Sequence, residues 1–340
     1  MHTQHEGRFS RRAFLGGLTL AGTAGLLSLS AKRASAEPPP ETTRIRLVRV
    51  PSICQAPAYV AEALLRSEGF TEVHYLQKEG TADIETALAS GEADLNGHFA
   101  APLLLRLEAR DPIVILAGLH IGCYQLFGTH AVRTIRDLKG KTVAVPALDS
   151  SRYIFLASMV AYVGLDPRKD LHVVTHPGAE SIRLLAEGQI DAYLGFPPEP
   201  QEMREQQIGH VLVNSTVDRP WSQYFCCMLA GNREFVRTHP VATKRALRAI
   251  LKAADVCALE PEQAAQFIVD KGYAKRYDYA LQAIKELPYS QWREYSPEDT
   301  LRFYALRLHE VGMLKSTPQK LIAQGTDWRF LNELKKELEG

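Results

Sequence analysis

The residues best suited to chemistry in this sequence are Ser150-Ser151-Arg152, where an apolar run turns into a helical pattern. The first N–H groups of a helix lack internal partners, and serine hydroxyls add donors beside them. Arginine contributes a forked cation matched to carboxylate, sulfonate or phosphate. The plainer alternative is a serine that only caps the helix, with Arg152 in solvent. Asp149, Glu180 and Glu199 stand in loops or at helix starts and would instead suit an amine or a pyrimidine. Acids in a first helical turn also stabilise the helix dipole with no ligand at all.

A second polar group is Ser52, Cys54 and Gln55. Glutamine donates and accepts, whereas a thiol serves equally well as apolar filler. His98 follows Asn96-Gly97 at a strand end and is a further candidate, against the plainer reading of a structural histidine. Tyr124, Phe196, Trp221 and Tyr224 fall near loops and crossings and could stack on a planar solute. Aromatics more often fill a core, so only Tyr124 and Phe196 are assigned to the site. Metal chemistry finds little support in the spacing. The cysteines, Cys54, Cys123, Cys226, Cys227 and Cys257, are odd in number and sparse, unlike a disulfide framework. His172 and His176 share a strand-like segment, where ~3.3 Å per residue puts them about 13 Å apart, too far to share an ion. His120 and Cys123 stand three apart with no evident third ligand. We expect no metal, no cofactor and no catalytic constellation.

The elements that position these residues come from an internal repeat. Val50-Pro51 ends one β-like run and Gly69-Phe70 closes the helix after it; Val145-Pro146 and Gly164-Leu165 do the same, with eighteen residues from proline to glycine both times. Gly80 is then echoed by Gly178, and Ala89-Ser90-Gly91-Glu92-Ala93-Asp94 by Ala186-Glu187-Gly188-Gln189-Ile190-Asp191. The glycines fit positions just past a helix, where a left-handed backbone penalises any Cβ. Each copy reads strand, helix, strand, helix, strand, which implies right-handed crossovers and a parallel sheet. Two such α/β units imply two lobes with a cleft between them. Ligands of open parallel sheets sit beyond the carboxyl ends of the strands. The loops there are 52–55 and 96–98 in one copy, and 147–152 and 195–199 in the other.

Lobe one is expected to cover residues 42–134, with strands at 113–120 and 125–130. A polar crossing at 134–139 leads to lobe two, 135–218, and a second crossing at 214–220 leads back. Residues 219–340 then give lobe one a return strand and C-terminal helices around 240–259, 261–271, 278–286, 297–312 and 327–338. The lobes should hinge on the two crossings, with Arg152 and Gln55 gripping one solute from opposite sides. A cleft arginine makes few packing contacts, so its loss should cost binding rather than stability.

The first 36 residues read as an address. Adjacent Arg11 and Arg12 precede a short apolar run and Ala34-Ser35-Ala36 ends it, the pattern of a twin-arginine export signal cleaved after Ala36. The run is roughly 15 residues, short of the ~20 that span a bilayer, and no later segment is apolar enough. Without Arg8, Arg11, Arg12, Lys32, Arg33 and Glu6 the formal charge of +1 becomes −3. No basic run suggests nucleic acid.

Pro57-Ala58-Tyr59-Val60-Ala61, Asp137-Leu138-Lys139-Gly140-Lys141-Thr142, Gly188-Gln189-Ile190-Asp191-Ala192 and the tail Gly325-Thr326-Asp327-Trp328 together resemble the sulfonate, nitrate and taurine class of ABC-transporter binding proteins, which share a domain with thiamine-pyrimidine precursor proteins. The resemblance covers essentially the whole chain after the address. It implies a type II periplasmic binding protein fold, a solute closed between lobes, and delivery to a membrane permease. Arg152 and the serines point to a small, anionic solute, and we expect a monomeric periplasmic protein with no enzymatic activity. The resemblance also implies ligand contacts from the loop of Ser52 and Gln55 and from that of Ser151. Two alternatives share the fold: a pyrimidine-synthase-like enzyme, whose relatives carry a cysteine-rich run of which Cys226-Cys227 would be a remnant, and a ligand-presenting partner of a membrane sensor.

Overall fold

The structure, a computed structural model, describes residues 37–50, 52–78 and 81–338. The export signal read at 1–36 lies outside them, as do Pro51 and Gly80 of the repeat. The first βαβ unit runs β1 (Arg44–Arg49), α1 (Ala56–Val60), α2 (Glu62–Ser67), β2 (Glu72–Gln77), α3 (Thr81–Ala89) and β3 (Leu95–Phe99). Then come α4 (Ala100–Glu108), β4 (Ile113–Ile121) and β5 (Gln125–Gly128). The second unit is β6 (Thr142–Val145), α5 (Ser151–Tyr162), β7 (His172–Thr175), α6 (Gly178–Ala186) and β8 (Ala192–Gly195). It continues through α7 (Glu199–Glu205) and β9 (His210–Asn214) to β10 (Phe225–Asn232).

These strands form two sheets of the same plan, β2-β1-β3-β10-β4 and β7-β6-β8-β5-β9. Four of the five strands in each run the same way, three of them adjacent and joined by helical crossovers, and the fifth, β10 or β5, is antiparallel and arrives from elsewhere in the chain. The repeat's signals have local causes. Gly69 and Gly164 have φ of +104° and +82°, the left-handed backbone expected past α2 and α5. The paired aspartates clasp strands: Asp94 Oδ2 accepts the Arg46 N–H at 2.7 Å, and Asp191 Oδ2 accepts the Thr142 N–H at 2.8 Å. The echoed acids are therefore structural, since each ties the third strand of its unit to the first.

The strand Gln125–Gly128 corrects one expectation. The sequence pattern assigns it to lobe one, but β5 lies in the second sheet, antiparallel to β8 (Gln125↔Gly195) and to β9 (Gln125↔Asn214). The chain therefore leaves the first sheet at residues 122–124 rather than 134–139. The polar stretch there is a turn feeding β6, in which the Asp137 carboxylate accepts the Thr134 N–H at 2.8 Å. β5 is the counterpart of β10, which passes between β3 and β4, so each half lends a strand to the other.

The C-terminal helices are α8 (Arg233–Thr238), α9 (Pro240–Leu259), α10 (Pro261–Asp270), α11 (Tyr277–Glu286), α12 (Pro297–Glu310), α13 (Pro318–Gly325) and α14 (Arg329–Glu337). Short α8 and α13 add to the five expected from the sequence. α9 buries a face of small residues, Ala242, Ala246, Ala249, Ala253 and Cys257, against α1 and α2 of the first half. The expectation that all these helices belong to lobe one is too narrow. α12 packs on α5 as well as α4, and α11 meets α7, where Arg204 Nη2 binds Glu286 Oε1 at 2.6 Å. No described helix is long and apolar enough to cross a membrane.

Candidate functional site

Four aromatic rings from both halves meet beyond the carboxyl ends of β3 and β8. Phe99 ends β3, Tyr124 lies between β4 and β5, Phe155 is on α5, and Phe196 follows β8. Tyr124 stacks on Phe155 with centroids 4.5 Å apart, and Phe99 lies 4.9 Å from Tyr124 and 5.5 Å from Phe196. The Tyr124 hydroxyl is buried beside Ser151. Burial pushes its pKa well above the usual phenol value.

Arg152 stands over the Phe196 ring at 4.5 Å, which places its charge beside this aromatic group. Its Nη2 donates to Glu199 Oε1 at 2.8 Å, its Nη1 donates to the Tyr193 hydroxyl, and that hydroxyl donates to Glu199 Oε2 at 2.9 Å. Burial disfavours the charge on Arg152, but the Glu199 carboxylate together with Tyr193 and Tyr124 outweighs it and raises the pKa. The arginine is 8% exposed, so the solvent-facing alternative does not hold. Nor is it a side chain with few contacts. Two of its five N–H donors are engaged, and the fork stays oriented.

The other candidates divide. Ser150 is the helix cap, accepting the Tyr153 N–H at 3.3 Å and donating to the Ala147 carbonyl at 2.6 Å. Ser151 is buried in the first turn of α5, beside Tyr124, whose phenol its hydroxyl influences. Ser52, Cys54 and Gln55 are buried at the end of β1 and point into a different group. Ser52 Oγ lies 3.0 Å from Cys54 Sγ, and Gln55 Nε2 donates to Cys227 Sγ at 3.4 Å. Gln55 passes over Gly97, where a Cβ would collide with its Oε1. His98 takes the structural role, with Nε2 3.2 Å from Glu85 Oε1 on α3 and Arg106 on the same carboxylate at 3.6 Å.

Sequence reasoning missed Phe99, Phe155 and Tyr193. Tyr193 and Gly195 alternate along β8 onto one face, a signal that could have found the tyrosine once Arg152 was suspected. A hollow of about 410 Å³, within the ligand-sized range, opens apart from this group where β1 and β2 end against α7; Arg49, Gln77, Glu202 and Tyr273 line it.

Two exchanged α/β sheets with polar and aromatic groups gathered at their facing carboxyl ends define the class: a two-lobed, type II periplasmic binding protein fold. More particularly, the chain belongs to the NMT1/THI5 like family, whose model matches residues 55–264. The taurine-binding periplasmic protein of Escherichia coli is 26% identical over 201 residues, 58% of this chain and 62% of that protein. The bicarbonate-binding protein CmpA of Synechococcus elongatus is 29% identical over 106 residues, 31% of this chain and 22% of that protein. The chain thus matches less than two thirds of the length of each. Among solved structures, the periplasmic nitrate-binding protein NrtA of Synechocystis PCC 6803 superposes with a TM-score of 0.74 at 16% identity, covering 89% of this chain and 90% of that one. The alkanesulfonate-binding protein SsuA of Xanthomonas axonopodis pv. citri, bound to MOPS, gives 0.65 at 16% identity, with 85% and 99% covered. At such identity these likenesses show the fold alone.

Proposed function

We propose that this chain is the periplasmic solute-binding component of an ABC-type importer, taking up a small solute with an anionic group and passing it to a membrane permease without chemical change. The observation that carries this reading is the convergence of Arg152 with aromatic rings from both halves at the carboxyl ends of the strands. A cation among aromatic walls, held by Glu199 and Tyr193 through two of its five N–H donors, is a preorganised anion receptor. The names of the taurine- and bicarbonate-binding relatives support a solute of this kind. Phe196, Tyr124 and Ser151 would line it with Arg152.

Calorimetric titration with taurine, short alkanesulfonates, bicarbonate and nitrate tests the proposal. Saturable binding of one of them, recovered unchanged, is expected. A cationic solute identified by native mass spectrometry of the protein from its host would refute the anion, and turnover would make the chain an enzyme.

We further propose that export uses the twin-arginine route, on the motif at Arg11 and Arg12. Changing both to lysine should abolish periplasmic accumulation, and the exported wild type should have a mass beginning at Glu37. Undiminished yield in the double variant would exclude that route.

A further inference from the structure

Beneath the aromatic group, four of the five cysteines and one histidine come together in the interior. Cys54 follows β1, His120 is on β4, Cys123 lies in the first crossing, and Cys226 and Cys227 are on β10. Cys54 Sγ, Cys227 Sγ and a ring nitrogen of His120 lie within 4.8 Å of one another, as do the sulfurs of Cys123, Cys226 and Cys227. Cys123 and Cys226 face each other at 2.9 Å.

His120 is fully buried, and its Nδ1 is 3.3 Å from the Ile121 carbonyl oxygen. A carbonyl only accepts, so Nδ1 carries the proton and Nε2 keeps a lone pair. Nε2 has no hydrogen-bond partner among the described residues. The Cys54 and Cys227 sulfurs are the ones gathered about this ring. An imidazole anchored to a carbonyl through one nitrogen with the other free is the outer-shell pattern of a metal-binding histidine. The sulfurs have such support too. Gln55 donates to Cys227, Ser52 lies beside Cys54, and the Tyr289 ring packs edge-on to His120 with centroids 5.4 Å apart.

We propose that Cys54, His120 and Cys227 hold a soft d10 cation, zinc(II) or copper(I), with Cys123 or Cys226 as the fourth ligand when the ion is zinc. Thiolate and imidazole select such ions, and neither set contains a carboxylate, which magnesium, calcium or manganese would want. Binding zinc breaks three S–H bonds, forms three Zn–S bonds and one Zn–N bond, and releases three protons to water; copper(I), held by Cys54, Cys227 and His120, releases two. Three thiolates with Zn²⁺, or two with copper(I), leave a net charge of −1, and the Gln55 amide that donates to Cys227 Sγ offsets part of it in a site shut off from solvent. The ion would pin the end of β1 to β4 and β10, under the proposed solute site and beside the first crossing. Its role is distinct from solute capture, and its test does not depend on the solute.

The test is metal analysis of the full chain, produced under reducing conditions in zinc- or copper-supplemented medium and purified without a chelating tag. One equivalent of zinc or of copper is expected, and cobalt(II) substitution should show sulfur-to-metal charge-transfer absorption. Cys54→Ser and Cys227→Ser should each weaken binding by more than the ~10–100-fold that outer-shell losses cost. Cys257→Ser should keep the full equivalent, because Cys257 lies in neither set. Replacing Cys123 and Cys226 together by serine separates the ions: zinc affinity falls with its fourth ligand, whereas three-coordinate copper(I) is retained. The cobalt spectrum of the wild type gives an answer even where a variant folds poorly. Absence of stoichiometric metal and of the cobalt bands overturns the proposal. So does undiminished binding in Cys54→Ser and Cys227→Ser, or a Cys123–Cys226 disulfide in a metal-free protein.

Discussion

Arg152→Ala is expected to weaken solute binding about ten- to a hundredfold and to lower the unfolding free energy by roughly 2–4 kcal/mol. The binding term is the loss of a charge-assisted hydrogen bond at a desolvated position. The stability term arises because truncation leaves Glu199 and Tyr193 without their cation. Breaking a fully buried pair costs about 3–5 kcal/mol. The value here sits lower because the Glu199 side chain is 18% exposed and regains some water. Composition and loop position suggest a cleft arginine dispensable for stability, and burial reverses that. Pairing Arg152→Ala with Glu199→Gln should recover most of the stability and none of the binding, which separates the two effects. Urea denaturation and calorimetric titration read them independently. Wild-type affinity in Arg152→Ala would remove the main support for an anionic solute, and unchanged stability would place the ion pair in solvent.

Gly122→Ala should be nearly as costly to the fold, at about 2–4 kcal/mol. Gly122 stands in the first crossing with φ of +64°, and an added Cβ would come within 2.5 Å of the Thr216 Cα in the second crossing. The neighbour is backbone and cannot swing aside. The two crossings are also hydrogen-bonded: Cys123 N–H donates to Ser215 Oγ at 3.3 Å, and Ser215 Oγ donates to the Tyr124 carbonyl at 2.8 Å. We propose this pair of strands as the hinge on which the lobes close over solute. Gly140→Ala is the control, because Gly140 has φ of +73° but an added Cβ would meet nothing within 4 Å. It should lose only the left-handed backbone cost of about 1–2 kcal/mol. Equal losses at both positions in denaturant titrations would mean that the crossings do not press on each other.

The sequence by itself determined the elements and their repetition. The glycines after α2 and α5 and the aspartates leading into β3 and β8 are visible because backbone handedness and strand-edge clasps act within a few residues or at one repeating distance. The helix start at Ser150 was equally legible, since a cap is chosen by its own turn. What lay outside that range was decided by the tertiary structure. The apolar pattern of Gln125–Gly128 fits either sheet, and only the edge offered by β8 assigns it to the second. Whether Arg152 faces the site or solvent stays open in sequence until Glu199, 47 positions along, is brought to its fork. His120 and Cys123 lacked a third ligand in sequence because the missing sulfurs come from the end of β1 and from β10, on separate stretches of the chain. Local propensity and periodicity choose helices and strands. Which buried side chains meet depends on strand exchange, and that is settled by pairing free energies summed over contacts far apart in the chain.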